Sequence, residues 1–205
     1  MNRFARILAK GPQLLLQRVR NALWRCILAC PELELGEGAQ IFGDRRMRLG
    51  QGFRAGRLLW LEAVSVYGTH RYTPTLTIGA RFSGSDAVHI ACAYSVEIGD
   101  DVLVGSKVHI TDHNHGLYRG EGPHSSPDVP PAGRPLQGGA VRVGHRVFLA
   151  DGVVVLPGST IGDGVIVGAN SVVSGHLPAH TMCVGAPARP IKRYDTTSQT
   201  WQRIA

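Results

Sequence analysis

Lysine is nearly missing from this 205-residue chain, which has three lysines against nineteen arginines. Aromatic residues make up only 6% of the sequence. No apolar run approaches the roughly 18 residues that a membrane-spanning helix needs. Near the N-terminus, arginines interrupt the leucines before the apolar stretch of a secretory signal can form. The lack of a long apolar run excludes a protein embedded in a membrane by a helix. The lack of a secretory signal leads us to expect a cytoplasmic protein.

The chain is also poor in cysteine. Its four cysteines form neither a CxxC pair nor a zinc-finger spacing. In a chain of this length we expect them to be buried thiols in a reducing compartment, and we expect no metal site. They are Cys26, Cys30, Cys92 and Cys183.

The formal net charge of +7 comes from the N-terminus. Of the 22 basic residues, six lie in residues 1–31, which contain no acidic residue. The other 16 basic residues face 15 acidic ones, so the body of the chain is almost neutral. A nucleic-acid-binding protein needs a basic stripe on its folded body, with aromatic residues or a recognition helix. The body has neither, and we expect no nucleic-acid partner.

Aliphatic residues recur at every sixth position in the second half of the chain. A small residue often follows them, and a second apolar or small series lies four positions after each. Neither the helical period of 3.6 nor the strand period of 2 fits this spacing, whereas parallel β-helices have hexapeptide repeats. We predict an all-β solenoid with three repeats per triangular coil, in which each anchor stacks on the anchor three repeats away. The anchors are Val143, Leu149, Val155, Ile161, Val167 and Val173, with Ile98, Val104 and Ile110 upstream.

Residues 1–31 are predicted to form a basic amphipathic helix that precedes the solenoid domain at 32–189. Two alternatives remain open for it. The helix packs on the end of the solenoid or on a neighbouring subunit, or it contacts the anionic inner surface of a membrane. Its apolar side contains Leu15, Leu16, Val19, Ala22, Leu23, Cys26, Ile27 and Cys30, and its polar side contains Arg18, Arg20, Asn21 and Arg25.

The repeat is interrupted once, over residues 112–140. Residues 116–140 contain six glycines and five prolines, too many for a coil, so we expect a long excursion loop. After the last repeat, residues 190–205 are predicted to form a short capping helix.

The excursion begins with two histidines at positions that the repeat turns outward. Solvent-facing histidines at the root of a loop suit acid–base chemistry, although ordinary surface histidines are the alternative interpretation. Glu97 lies three repeats before His115, so an unbroken coil would stack its carboxylate beneath that imidazole. The pair is His113 and His115, with Asp112 before them and Asn114 between them.

Several segments carry a resemblance to a known family. Residues 143–174 and 184–192 resemble the hexapeptide-repeat acyltransferases. Within that superfamily, residues 88–91 and 112–115 resemble lipopolysaccharide and polysaccharide O-acetyltransferases. The galactoside and maltose acetyltransferases are more distantly similar.

The resemblance implies a left-handed parallel β-helix and a homotrimer that binds acetyl-CoA between neighbouring subunits, with no metal. It places the catalytic histidine on His115, and His113 is the second candidate. The donor site falls on Phe148, Ala150, Asp151, Gly168, Ala169, Ser174, Arg189 and Lys192. For the acceptor we expect Asp86, His89, Asp112 and Asn114.

These features together suggest an acetyl-CoA-dependent O-acetyltransferase. We expect it to act on a sugar hydroxyl of a cell-surface polysaccharide or of its lipid-linked or nucleotide-linked precursor. N-acetylation of a nucleotide-linked amino sugar is the alternative. A non-catalytic trimeric scaffold is a third interpretation. A zinc hydratase resembling the γ-type carbonic anhydrases is disfavoured, because His109, His113 and His115 have the wrong spacing.

Overall fold

The computed structural model describes residues 3–121 and 123–204, and for residues 3–14 and 44 it describes the backbone alone. One helix, α1 (Arg3–Ile27), precedes the strands. The nine-stranded first sheet contains β1 (Glu34–Leu35), β4 (Arg54–Ala55), β9 (Ser83–Gly84), β12 (Leu103–Val104), β17 (Phe148–Leu149), β20 (Ile166–Val167), β23 (Thr181–Gly185), β24 (Ala188–Asp195) and β25 (Thr200–Arg203).

Two six-stranded sheets complete the solenoid. The second contains β2 (Gln40–Phe42), β5 (Trp60–Ala63), β10 (His89–Cys92), β13 (His109–Thr111), β18 (Val154–Val155) and β21 (Val172–Val173). The third contains β3 (Met47–Leu49), β8 (Thr75–Ile78), β11 (Ser95–Ile98), β16 (Val141–Val143), β19 (Thr160–Ile161) and β22 (His176–Leu177).

Two short antiparallel ribbons and two 3-10 turns leave the coils. The ribbons pair β6 (Val66–Tyr67) with β7 (His70–Arg71), and β14 (His113–His115) with β15 (Leu136–Gly138). The turns are Asp44–Arg46 and Pro131–Gly133.

The three sheets enclose one continuous core, as the six-residue repeat predicts. Successive coils pair in parallel within each sheet, so the chain forms a parallel β-helix. All nine predicted anchors are buried, none more than 4% exposed. Removing these aliphatic side chains from water stabilises the solenoid, at about 25 cal/mol per Å² of apolar surface.

The length of a coil differs along the chain. In the C-terminal half, Val154 pairs with Val172, which is the predicted coil of three six-residue repeats. Upstream, His89 pairs with His109, so that coil is slightly longer than the repeat predicts. The excursion lengthens one coil much further, since His109 pairs with Val154.

The small residue after an anchor is required by the neighbouring coil. At Gly144 an added Cβ would lie 2.8 Å from the backbone nitrogen of Asp163, and it would also meet the Asp163 carboxylate. That carboxylate accepts a hydrogen bond from the amide of His145 at 2.9 Å. Asp100 accepts in the same way from the amide of Ala80 at 2.7 Å. Glycine at this corner therefore leaves room for an aspartate that ties one coil to the next.

Replacing Gly144 by alanine is expected to destabilise the fold by about 1–3 kcal/mol, since the new methyl group overpacks this corner. Thermal or denaturant unfolding measures the loss. The matched control is Gly133→Ala in the excursion, where the nearest atom to an added Cβ is 3.9 Å away. An unchanged unfolding midpoint for Gly144→Ala would contradict the proposed packing.

Helix α1 packs on the first coil with its polar side. Side chains of Gln17 and Asn21 donate hydrogen bonds to the carbonyl oxygen of Leu35, at 3.0 and 3.2 Å. Arg20 donates to the same oxygen at 3.0 Å, and Arg25 donates to that of Leu33 at 3.0 Å. Strand β1 is an edge strand whose outer carbonyls have no preceding coil to pair with. The helix supplies the missing donors, so one of the alternatives left open for it, packing on the end of the solenoid, is present in the structure.

Two sequence-based expectations are wrong here. Cys26 is exposed rather than buried, because it lies on the side of α1 that faces away from the solenoid, whereas the other three cysteines are buried. The C-terminal segment is a β-hairpin rather than a helix. Asp195 accepts a hydrogen bond from the amide of Thr197 in its turn, and Tyr194 packs edge-on against Trp201 at 5.3 Å. This cross-strand aromatic pair favours a strand pairing.

Among the described residues, α1 lacks the apolar length to cross a bilayer.

Candidate active site

An aspartate and a histidine are joined where the chain leaves β13. The buried carboxylate of Asp112 accepts a hydrogen bond from Nδ1 of His113 at 2.8 Å. The amides of Ala93 and Tyr94 donate to the same carboxylate, each at 2.8 Å. Because an ionised carboxylate can only accept, Nδ1 carries the proton and Nε2 is the nitrogen that can take one, on a side chain that is 11% exposed.

The hydrogen bonds around Asp112 keep it ionised. Burial by itself would raise the pKa of this carboxyl, because it removes the charge from water. The hydrogen bonds from His113 and from the amides of Ala93 and Tyr94 outweigh burial, and the pKa of Asp112 lies below its usual value. The carboxylate therefore faces the imidazole as a fixed anion at neutral pH.

Two further imidazoles line the outer surface of the second sheet beside this pair. His89 and His109 occupy paired positions on β10 and β13, with ring centroids 4.7 Å apart. Trp60 extends the column, at 5.6 Å from His89. Burial lowers the pKa of His89, more than the nearby Glu62 raises it, and it also lowers the pKa of His109, to which His89 and His113 add. Both rings are therefore neutral at neutral pH, so they form a weakly polar surface next to His113.

His115 occupies a different environment from His113. It is exposed, and its ring stands edge-on to Tyr67 with centroids 5.1 Å apart. Among the residues that the structure describes, no carboxylate hydrogen bonds to this imidazole. His115 lines a cavity of about 670 Å³ between the excursion and the corners that follow β18 and β21. Other lining residues are Asn114, Tyr118, Arg119, Arg134, Gln137, Pro157 and Ser174.

Glu97 does not lie beneath His115, so this expectation is wrong. It pairs in register with Arg142 on β16, and the two side chains form an exposed ion pair at 3.6 Å. The prediction assumed an unbroken coil of three repeats, whereas the chain has already left the coil at Asp112. The carboxylate that meets a histidine here is the adjacent one in the sequence.

The predicted acceptor residues divide into two groups. Asp112, Asn114 and His89 lie around His113 or on the rim of the cavity. Asp86 instead belongs to a corner, where its carboxylate accepts from the backbone amide and the guanidinium of Arg57 at 2.8 to 3.0 Å. The side-chain hydrogen bond from Arg57 holds the pKa of Asp86 below its usual value. This arrangement gives Asp86 a structural partner rather than an open binding position.

The predicted donor residues lie at two different corners of the solenoid, a corner being the place where the chain passes from one sheet to the next. Phe148 is 38% exposed on β17 of the first sheet, next to the corner that contains Ala150, and Gly168 and Ala169 occupy the same corner one coil later. Ser174 lies at the next corner, where it lines the cavity beside the excursion. The strands of the second sheet separate the two corners.

A β-bulge brings two of the predicted donor residues to one face. Lys192 pairs with Met182 and Arg189 pairs with Val184, while Ile191 is skipped in the register. Paired residues on neighbouring strands share a face, so the bulge places Arg189 and Lys192 on the same outward side. Arg193 pairs with the buried Thr181 and therefore lies on the other side. The sequence does not reveal this division, because a bulge has no simple sequence signal.

Three tyrosines that the sequence interpretation did not single out hold the root of the excursion. Tyr94 donates from its hydroxyl to the carbonyl of Leu136 at 2.8 Å, and the hydroxyl of Tyr72 accepts from the amide of Leu136 at 2.8 Å. Tyr67 donates to the carbonyl of Ala132 at 3.1 Å. They fix the loop that carries His113 and His115.

Within the described residues, no three His, Cys, Asp or Glu side chains form a group that would hold a metal ion.

Comparison with known proteins identifies the family. Residues 140–175 match the family described as bacterial transferase hexapeptide (six repeats). The chain is 43% identical over 163 residues to a putative lipopolysaccharide biosynthesis O-acetyl transferase, WbbJ, from Escherichia coli K12. That match covers 80% of this chain and 80% of the relative. A galactoside O-acetyltransferase from the same organism is 29% identical over 141 residues, covering 67% of this chain and 62% of the relative.

Solved structures have the same fold. The N-acyltransferase AntD from Bacillus cereus, solved with dTDP and 3-hydroxybutyryl-CoA, superimposes with a TM-score of 0.63 at 20% identity, covering 82% of each chain. A galactoside acetyltransferase in complex with coenzyme A gives a TM-score of 0.52 at 20% identity, covering 83% of this chain and 72% of that one. The solenoid is thus the left-handed parallel β-helix that the sequence resemblance implies. From its repeats, its fold and its 43% identical relative, this chain belongs to the bacterial hexapeptide-repeat transferase family and is an acyltransferase.

Proposed function

We propose that the protein transfers an acetyl group from acetyl-CoA to a sugar hydroxyl, with His113 as the general base. The observation that carries this proposal is the hydrogen bond between Asp112 and His113, backed by two backbone amides. It orients the imidazole and fixes its tautomer, so that Nε2 is the ring nitrogen that accepts the proton. The exposed His115 lacks such a partner among the described residues, so we assign the base to His113 instead of the position that sequence resemblance favoured.

A sugar hydroxyl is a weak nucleophile at neutral pH, and it needs a base as it attacks. Nε2 of His113 accepts the hydroxyl proton while the oxygen bonds to the acyl carbon, and Asp112 stabilises the imidazolium that forms. When the carbon–sulfur bond breaks, the imidazolium returns the proton to the leaving thiolate. General-base assistance of this kind contributes typically about 10²–10⁴-fold. Acetyl-CoA supplies the thioester carbonyl that is attacked.

The cysteines do not favour an acyl-enzyme. Burial raises the pKa of Cys92 and of Cys183, and both thiols are fully buried. A protonated buried thiol is a poor nucleophile. Direct transfer between donor and acceptor is therefore the mechanism that we propose.

The donor half of the site suits coenzyme A chemically. Arg189 and Lys192 form a cationic face for its phosphates, since charge-assisted hydrogen bonds to phosphate are strong. Phe148 offers an exposed aromatic ring, and Ala150 and Ala169 leave room at the corner. The other donor residue, Ser174, lies one corner away. A second copy of the chain that brings its Ser174 corner next to Phe148 and Lys192 would join the two halves, which supports the homotrimer that the resemblance implies.

Replacing both Arg189 and Lys192 by alanine is expected to weaken coenzyme A binding about tenfold or more, because two phosphate contacts are lost. Isothermal titration calorimetry with coenzyme A measures the effect. Arg193→Ala is the matched control, since it removes the same type of charge from the opposite side of β24. Equal weakening by the control would show that only net charge matters, and the proposed phosphate face would then be wrong.

The acceptor class follows from the 43% identical relative, whose name refers to lipopolysaccharide biosynthesis. We therefore propose a sugar of a cell-surface polysaccharide or of its lipid-linked or nucleotide-linked precursor. The test incubates the protein with labelled acetyl-CoA and a panel of glycans, lipid-linked sugars and nucleotide sugars, and identifies the acetylated atom by mass spectrometry and NMR. Labelling of a hydroxyl supports the proposal. Transfer to the amine of a nucleotide-linked amino sugar, or no transfer at all, would overturn it.

A further inference from the structure

Helix α1 exposes an apolar stripe that nothing in the described chain covers. Its polar side is used by the hydrogen bonds to Leu33 and Leu35, so its apolar side faces outward. An amphipathic helix on a globular protein normally packs the other way, with its apolar side on the core. The stripe consists of Leu15, Leu16, Val19, Leu23 and Ile27, which are 52–69% exposed.

The charge around the stripe selects its partner. Residues 1–31 contain six basic residues and no acidic one, and Arg18 is exposed next to the stripe. Apposing the α1 helices of two copies would therefore bring the Arg18 side chains of both copies to the contact, and residues 1–31 offer no acidic residue to pair with them. An anionic lipid surface, in contrast, offers both apolar depth for the leucines and negative charge for the arginines.

We propose that the apolar stripe of α1 inserts into the interface of an anionic membrane and holds the protein there as a peripheral protein. The helix lies along the surface, since it lacks the apolar length to cross the bilayer. Because the polar side of α1 is hydrogen bonded to β1, the N-terminal end of the solenoid faces the lipid. This interaction is independent of the proposed acetyl transfer and stands or falls separately from it.

The test is co-sedimentation of the full chain with phosphatidylcholine vesicles that contain or lack phosphatidylglycerol. We expect binding to the anionic vesicles, weak binding to the neutral ones, and release at about 0.5 M salt, where charges are strongly screened. The double variant Leu16→Gln with Leu23→Gln is expected to bind about tenfold more weakly or worse, because two side chains lose their apolar environment. The matched control is Leu58→Gln with Val66→Gln, which are 62% and 53% exposed on the solenoid; it should bind like the unaltered chain.

The same variants separate the membrane from a second copy as the occupant. Sedimentation velocity without lipid is expected to give equal masses for the unaltered chain and for the Leu16→Gln with Leu23→Gln variant. A smaller assembly for that variant would mean that another copy covers the stripe, and the proposal would be wrong. It would also be wrong if no vesicle bound the unaltered chain, or if the α1 variant and the control bound equally. Since all four altered side chains are exposed, both variants are expected to unfold at the midpoint of the unaltered chain.

Discussion

Replacing His113 by alanine is expected to lower kcat by at least about a hundredfold, because the acceptor hydroxyl then has no base to take its proton. In free-energy terms the loss is about 3 kcal/mol or more of transition-state stabilisation. Binding of coenzyme A should change little, since the donor residues lie at other positions of the solenoid. Initial rates of thiol release from acetyl-CoA, with an acceptor found in the panel, measure the effect.

His115→Ala is the matched control for this experiment, as it removes an imidazole from the same ribbon. We expect its kcat to fall by less than about tenfold, because a lining contact of the cavity is lost without the base. The opposite pattern, with the large loss in His115→Ala and a nearly normal rate in His113→Ala, would restore the assignment that sequence resemblance suggested. Equal and large losses in both would indicate that neither imidazole acts alone.

The fold was predictable because a solenoid is built from local, periodic constraints. Each anchor such as Val155 or Ile161 must face the interior, and the sequence records this requirement at every sixth position. The small residues that follow the anchors are also visible in the sequence, but the reason for them is not. Gly144 is required because the aspartate of the next coil lies against it, and a spacing argument cannot reveal a contact with a neighbouring coil.

The site was predicted less accurately, because its geometry depends on where the period fails. Counting three repeats back from His115 led to Glu97, although the chain leaves its coil at Asp112 and the coil that joins His89 to His109 is longer than the repeat predicts. The bond between Asp112 and His113 joins adjacent residues, so no spacing rule points to it. The outward side of α1 was also not predictable, because hydrophobic periodicity identifies an apolar face but not which face the edge of β1 will bind.

Replacing Asp112 by asparagine is expected to reduce both activity and stability. Three N–H groups donate to the Asp112 carboxylate. In asparagine an NH₂ group replaces one of the two acceptor oxygens, so one of these N–H groups would face another donor and lose its hydrogen bond. An unpaired buried donor costs about 1–3 kcal/mol of stability. If the asparagine NH₂ faces Nδ1 of His113, the imidazole adopts the other tautomer and Nε2 no longer accepts a proton. We therefore expect kcat to fall by about 10²–10⁴-fold, the range that a positioned general base contributes.

The stability effect of Asp112 also depends on pH in a defined direction. Its pKa is held below the usual value in the folded protein, so the unfolded chain takes up the proton first. The carboxylate therefore stabilises the fold at pH values above the ordinary aspartate pKa of about 3.9, and this contribution is lost as the pH falls towards the pKa of the folded protein.

Unfolding free energies measured from pH 7 down to about pH 3 should fall more steeply for the unaltered chain than for Asp112→Asn. Asp128→Asn in the exposed excursion is the control and should follow the unaltered chain. Parallel pH curves for the unaltered chain and Asp112→Asn, together with a normal kcat, would mean that this carboxylate neither orients His113 nor stabilises the root of the excursion.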